Sequence, residues 1–242
     1  MATTTARKTA AAKSSLARRP GVRELAAQAT RDSILKAATK VFAKHGFDGG
    51  RVEQISKAAK SYDRMIYYYF GSKEELFIAV LEEMYARFNE AESDLRLDLG
   101  EPVGALEAIV EFMAGYYQKH PEFVTLLNAE NLHRGKHIAK SLRAHEYSSP
   151  AIAVLDRVLK SGADHGHFRD DVRARDVYLM IAALGYFYVS NRFTLSAFLA
   201  EELDTPEAFA QWRRFVSDAV LRTVAVAPAT RSSRARAALA ST

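Results

Sequence analysis

The sequence predicts an all-α protein: an N-terminal three-helix helix-turn-helix unit followed by a larger helical domain. Three observations carry that expectation. Apolar residues recur at helical spacing, and from Gly100 onward no stretch reads as a strand. Glycine and proline punctuate the pattern where helices end or begin, as at Gly46, Pro102 and Pro121. Charge is also unevenly spread. Residues 1–30 hold six Lys/Arg against one acid and residues 31–75 hold nine against six, whereas residues 76–226 hold sixteen against twenty-two. The positive charge lies toward the N-terminal third and in the three arginines of residues 227–242, a polarity suited to a polyanion at the helix-turn-helix end.

Taken in order, residues 1–26 are Ala, Thr, Ser, Lys and Arg without period and read as a disordered basic arm. Such an arm can lie along DNA phosphates or serve as a mere leader. Residues 27–71 form the helix-turn-helix unit. Its first helix runs from Arg31 to about His45, with Ile34, Leu35, Ala38, Val41 and Phe42 on one face and Gly46 as its stop. A second helix spans about Val52 to Ala59. A third starts near Asp63 and carries Ile66, Tyr69 and Phe70 inward. The second helix of such a pair enters a major groove. Its exposed start offers Tyr62, Asp63, Arg64 and Met65 to base edges, with Arg64 suited to a bidentate pair on guanine. Asp63 has a second option as a helix cap. Arg51, at the start of the second helix, is a phosphate candidate.

Ser72 with Glu75 has capping-box spacing and opens a helix expected to reach about Leu99. Further helices are expected from Pro102 to about His120, from Pro121 to about His133, over about Lys136 to Gly162 with Pro150 ending or kinking it, from Arg173 to about Leu199, and from Pro206 to Val224. Together these make residues 72–226 one helical domain, and residues 227–242 a disordered basic tail.

The strings Ile34-Leu-Lys-Ala-Ala38, Val41-Phe42, Gly46-Phe47, Val52-Glu-Gln-Ile55, Tyr67-Tyr-Tyr-Phe70 and Ser72-Lys-Glu-Glu-Leu76 resemble the N-terminal domain of the TetR family of transcriptional regulators. The resemblance covers roughly 45 residues of order and spacing. It implies a sequence-specific repressor, a homodimer on a palindromic double-stranded operator, relieved by a small molecule in a C-terminal ligand-binding and dimerisation domain. It also aligns Tyr67, Tyr68 and Lys73 with positions that commonly touch the DNA backbone. This chain departs from the family's pattern in three places. Gly50-Arg51 stands where Thr or Ser is usual, Lys60-Ser61-Tyr62 replaces Gly-Val-Ser in the turn, and Arg64-Met65 replaces small residues.

The last two helices are apolar over more than one face. In the family such helices pair across a two-fold axis, which marks Met180, Leu184, Gly185, Phe187, Phe209, Trp212 and Phe215 as interface candidates; small Ala182, Ala183 and Gly185 suit close helix approach. A pocket between helices is expected from Phe112, Tyr116, Phe123, Asn128, Asn131, Tyr178 and Asn191, apolar and aromatic groups with a few amides. The blocks His120–Phe123, Glu130–Leu132, Gly166–Phe168 and Ser190-Asn191 resemble family members that regulate catabolism of small nitrogen heterocycles or aromatic acids. That implies a small aromatic or heterocyclic effector, with an anionic one as an option.

Other classes find less support. There is no cysteine, so no thiolate site or disulfide framework, and no GxSxG, GxGxxG or phosphate-cradling glycine loop. No cofactor is expected, and the reading is not an enzyme. Glu130, His133 and His137 at i, i+3 and i+7 offer a metal alternative, although Gly135 interrupts their helix. A nonspecific nucleoid protein using the basic tails is the other alternative. No apolar run reaches the roughly 18 residues of a membrane span, and the N-terminus lacks the apolar core of a secretory signal, so a cytoplasmic protein is expected.

Overall fold

The computed structural model of the protein describes residues 21–143 and 149–226. The expectations for residues 1–20 and 227–242 lie outside the described residues. Among those described, the chain forms α1 (Val22–Gly49), α2 (Val52–Ala58), α3 (Asp63–Phe70), α4 (Lys73–Ser93), α5 (Pro102–Lys119), α6 (Pro121–Leu132), a 3-10 turn at Ile138–Lys140, α7 (Ser149–Asp164), α8 (Ala174–Leu199) and α9 (Pro206–Val224). One isolated antiparallel bridge ties Phe168 to Ala225.

Helices α1 to α3 close over Ile34, Ala38, Phe42, Ile55, Ile66 and Phe70, onto which the start of α4 adds Leu76 and Phe77. The Phe42 and Phe77 rings meet edge to face at 5.0 Å. Two expectations about α1 are corrected. It begins at Val22 rather than Arg31, so residues 22–26 belong to a helix and not to the arm. The reason is local: Arg23-Glu-Leu-Ala-Ala27 are good helix formers that need no buried stripe, and Leu25 is exposed. Gly46 does break the helix, at φ 66°, but one further turn, Phe47–Gly49, follows it.

Helix α4 stops at Ser93, short of the expected Leu99. Leu95, Leu97 and Leu99 alternate with Arg96 and Asp98 at period two, the pattern of extended chain, and Asp98 accepts the Gly100 N–H at 2.8 Å to make a turn. Pro150 opens α7 instead of ending a helix, because a first-turn proline forfeits no hydrogen bond. The segment before it, expected to be helical from Lys136, has only the 3-10 turn in its described part.

The larger domain packs α5 at its centre, against α7, α8 and α9, while α6 lies along α1. Its core holds Leu106, Met113, Phe123, Leu126, Leu155 and Ile181. No helix among the described residues is long and apolar enough to cross a membrane.

Candidate nucleic-acid interface and ligand cavity

The α2–α3 turn has a helix-ending motif with its left-handed position filled by lysine. The Ser61 N–H donates to Ser56 O at 2.9 Å and the Lys60 N–H to Lys57 O at 3.2 Å, which requires Lys60 at φ 52°. Glycine is the residue this geometry favours, so Lys60 carries a local strain of about 1 kcal/mol. Asp63 is not the N-cap of α3. That position is Tyr62, which offers no side-chain cap, and the Asp63 carboxylate instead accepts from the hydroxyl of buried Ser56. The bond pins α2 to α3 and takes up one oxygen of the carboxylate considered for cytosine.

The outward face of α3 presents Tyr62, Arg64, Tyr67 and Tyr68, all exposed, with Tyr68 at 77%. The Arg64 guanidinium lies 5.4 Å from the Tyr62 ring, a cation–π contact that holds it over the start of the helix. Met65 is half-buried and packs on the core, facing away from this group. Tyr69 too is half-buried, against the Tyr68 ring and the core. Arg51 is exposed and caps α2 through its backbone, whose N–H donates to Gln54 Oε1 at 3.1 Å. Gly50 before it is dictated by packing, since a Cβ there would sit 2.5 Å from Phe42 Cδ1. Lys73 stands at the start of α4 with its ammonium 4.7 Å over the Phe47 ring. Ser72 caps that helix, its Oγ accepting from the Glu75 N–H at 3.1 Å.

A cavity of about 390 Å³ lies between α4, α5, α6 and α8, walled by Tyr85, Tyr117, Phe123, Asn131, Tyr178 and Tyr186, with Glu130, Gly135 and Ile138 on one side. No Lys, Arg or His lines it among the described residues, which favours a neutral occupant over an anion. Three of the expected pocket residues meet here: Phe123, Asn131 and Tyr178. Asn128 stands just behind the wall, donating to Ser190 Oγ at 3.0 Å and accepting from the Tyr186 hydroxyl. Asn191 is spent on its own helix, donating to Phe187 O at 2.9 Å. Phe112 and Tyr116 face a separate pocket of about 480 Å³ beside Lys119, His120 and Arg213. Burial pushes the Tyr85 hydroxyl up to about 12, with Tyr178 and Glu130 adding to the effect, and raises Tyr117 further still. The wall therefore presents neutral phenols. On α4 nearby, burial raises the Glu92 carboxyl to about 7.

Helices α8 and α9 expose a second apolar region. Phe187 is 55% and Phe215 58% exposed, while Met180, Leu184 and Trp212 are half-buried. Trp212 stacks on Phe215 at 5.3 Å and donates to Leu184 O at 3.1 Å. Two other interface candidates point elsewhere. Gly185 faces α5, where a Cβ would meet the Tyr117 ring at 3.2 Å, and Phe209 is buried edge-on against Tyr188 at 5.5 Å. Ala182 and Ala183 line the cavity, Ala182 packed on the core and Ala183 also exposed. Of the residues suggested for a metal, Glu130 and His137 bond each other at 2.7 Å, and among the described residues no three His, Asp or Glu side chains are grouped so as to hold an ion.

The sequence family described as bacterial regulatory proteins, tetR family, matches residues 34–80, and the tetracyclin repressor-like C-terminal domain matches residues 102–220. The transcriptional repressor NicS of Pseudomonas putida is 57% identical over 205 residues, covering 85% of this chain and 97% of that protein. The chain belongs to the TetR family. It is also similar to the Streptomyces coelicolor transcriptional repressor SCO4008, at 30% identity over 67% of this chain and 79% of that one. The TetR fold recurs in a regulator from Haloarcula marismortui (TM-score 0.62, 18% identity, 82% of this chain and all of that one). It recurs again in the fatty acid degradation regulator FadR of Bacillus halodurans (TM-score 0.59, 24% identity, 79% and 97%). Like its TetR relatives, the chain is a DNA-binding transcriptional repressor.

Sequence reasoning missed Tyr85, Tyr117 and Tyr186 as cavity walls, and Ser56 as the partner of Asp63. One signal was present. Tyr178, Ala182, Tyr186 and Ser190 recur every four residues on α8, a polar-tipped stripe on an apolar helix.

Proposed function

We propose that the protein is a cytoplasmic, homodimeric repressor that reads a palindromic operator and is released from it by a small, neutral aromatic or heterocyclic molecule. The observation that carries this reading is the tyrosine-walled cavity, which lies within the volume range of small-molecule sites and combines apolar and aromatic walls with a few polar groups. In this reading Arg64 and Tyr62 contact bases, and Arg51, Tyr67, Tyr68 and Lys73 hold phosphates. The exposed Phe187 and Phe215, with Met180, Leu184 and Trp212, form the face that meets a second copy. A dimer gives two reading heads on half-sites about one helical turn or a multiple apart.

Titration against the chain's own upstream intergenic DNA and a shuffled duplex, at two salt concentrations, tests the reading. Discrimination of about a thousandfold or more at both salts is expected. Near-equal binding that collapses as salt rises would instead mark a nonspecific DNA-binding protein. The dimer is tested by sedimentation of the Phe187→Glu, Phe215→Glu double variant. It should run as a monomer and lose about a hundredfold in operator affinity.

A further inference from the structure

We propose that Glu130 couples the tyrosine-walled cavity to the DNA-binding unit, by anchoring a loop whose His137 is lodged between Phe47 and Phe77. The proposal rests on the cavity being the effector site. Glu130 is only 4% exposed and stands at the cavity wall, yet its carboxylate is spent on the loop that follows α6. Oε1 accepts the backbone N–H groups of His137 at 2.8 Å and Ile138 at 2.9 Å, and Oε2 accepts from the His137 ring at Nδ1, 2.7 Å away. A carboxylate partner places the ring proton on Nδ1. The opposite nitrogen, Nε2, is buried without a hydrogen-bond partner and stands 4.0 Å from Glu74 Oε1. A buried polar atom left unsatisfied points to a role other than packing.

The His137 ring is fully buried against Phe47 at 4.3 Å and Phe77 at 5.0 Å. Phe47 and Asp48 lie in the single turn between the Gly46 break and Gly50, and so set how the chain enters α2. His133 meets the same turn, its Nε2 3.4 Å from Asp48 Oδ2, and the Lys73 ammonium lies 4.7 Å over the Phe47 ring. At its cavity end the loop contributes Gly135 and Ile138 to the wall, with Arg134 and Gly135 both held at positive φ. A molecule filling the cavity must therefore press on this loop or compete for Glu130. Either event moves His137 and the Phe47 turn with it. The route from ligand to α2 and α3 then runs through the loop, which also ties onto α4 where Lys140 Nζ meets Glu74 Oε1 at 2.7 Å and the Ser141 hydroxyl donates to Glu82. Linkage makes the coupling reciprocal, so DNA bound at α3 favours the anchored loop.

Hydrogen exchange and operator titration on the full chain test the coupling. In Glu130→Ala, exchange should rise about tenfold both in residues 133–140 and in residues 47–52, with operator affinity falling by a similar factor. His137→Ala should do the same, and the double variant should be no worse than either single one, since both remove one linkage. His137→Phe keeps a ring in the slot and should leave residues 47–52 protected. Lys160→Ala, on the exposed face of α7 where it pairs with Asp156, should change neither segment. If Glu130→Ala loosens residues 133–140 while residues 47–52 keep wild-type protection, the coupling is overturned; multiplying effects of the two alanine variants would overturn it too. The exchange measurement needs no operator and no effector. A wild-type protein indifferent to its operator would thus remove the repressor reading, whereas unchanged protection of residues 47–52 in Glu130→Ala would remove the coupling, so the two failures are distinguishable.

Discussion

The outward face of α3 and the tyrosine-walled cavity are the two surfaces through which this repressor would meet its partners, and they are built in opposite ways. The α3 face comes from one run of the chain, Tyr62 to Tyr68, whose side chains stand in solvent on a helix held from behind by Ile66 and Phe70. The cavity comes from four helices and residues between Tyr85 and Tyr186, whose rings are also the core of the larger domain. A reading surface of the first kind can change without disturbing the fold. A cavity of the second kind cannot, because its specificity and its stability use the same side chains.

Phe123→Ala probes the cavity side most severely. The ring is 4% exposed and touches Tyr85, Tyr117 and Phe88. Its removal should cost about 3–5 kcal/mol in a urea melt, and a loss below about 1 kcal/mol would mean that the wall is not core. Arg64→Ala probes the other surface. Operator binding should weaken by about 1–3 kcal/mol, with relaxed choice at one base position, while stability stays within about 0.5 kcal/mol. A uniform loss on all sequences would make Arg64 a phosphate contact.

Titration gives a further contrast. The folded Glu92 carboxyl is raised to about 7 by burial, from an ordinary 4.5. Its folded form binds the proton more tightly than the unfolded chain does, so the stabilisation is complete below the ordinary value and is lost as pH rises through about 7. The melting temperature should therefore fall between pH 5 and pH 8, and Glu92→Gln should flatten that fall; parallel profiles would show that Glu92 is not the group responsible. The smallest effect is expected at the α2–α3 turn. Lys60→Gly relieves a left-handed lysine and should add about 0.5–1 kcal/mol to stability, read by chemical denaturation, with operator affinity unchanged. A change in affinity there would tie the turn to the docking geometry and narrow the difference between the two regions.

Legibility followed the same division. The helix-turn-helix unit was readable because its signals are short-range: the Ile34–Phe42 stripe, the Gly46 stop, and Ser72 and Glu75 at capping distance. Errors there were of extent, as with the early start of α1 at Val22, where propensity alone sustains helix. In the larger domain the helices were readable but their facing was not. Gly185 and Phe209 have the composition of interface residues, yet both are consumed inside the subunit. Phe112, Tyr116, Phe123 and Tyr178 look alike in an apolar pattern and fall into different pockets.

Sequence alone decided that this chain is helical, where its reading helix lies and to which family it is similar, because caps, breaks and periodicity act over about four residues and survive without tertiary context. Only the tertiary structure decided that four tyrosines share one cavity and that Asp63 belongs to Ser56. It also decided that Glu130 and His137 hold each other beside Phe47. Those pairings depend on how helices cross and on which face each turns inward, and crossing is set by packing over the whole core, which no local window of residues contains.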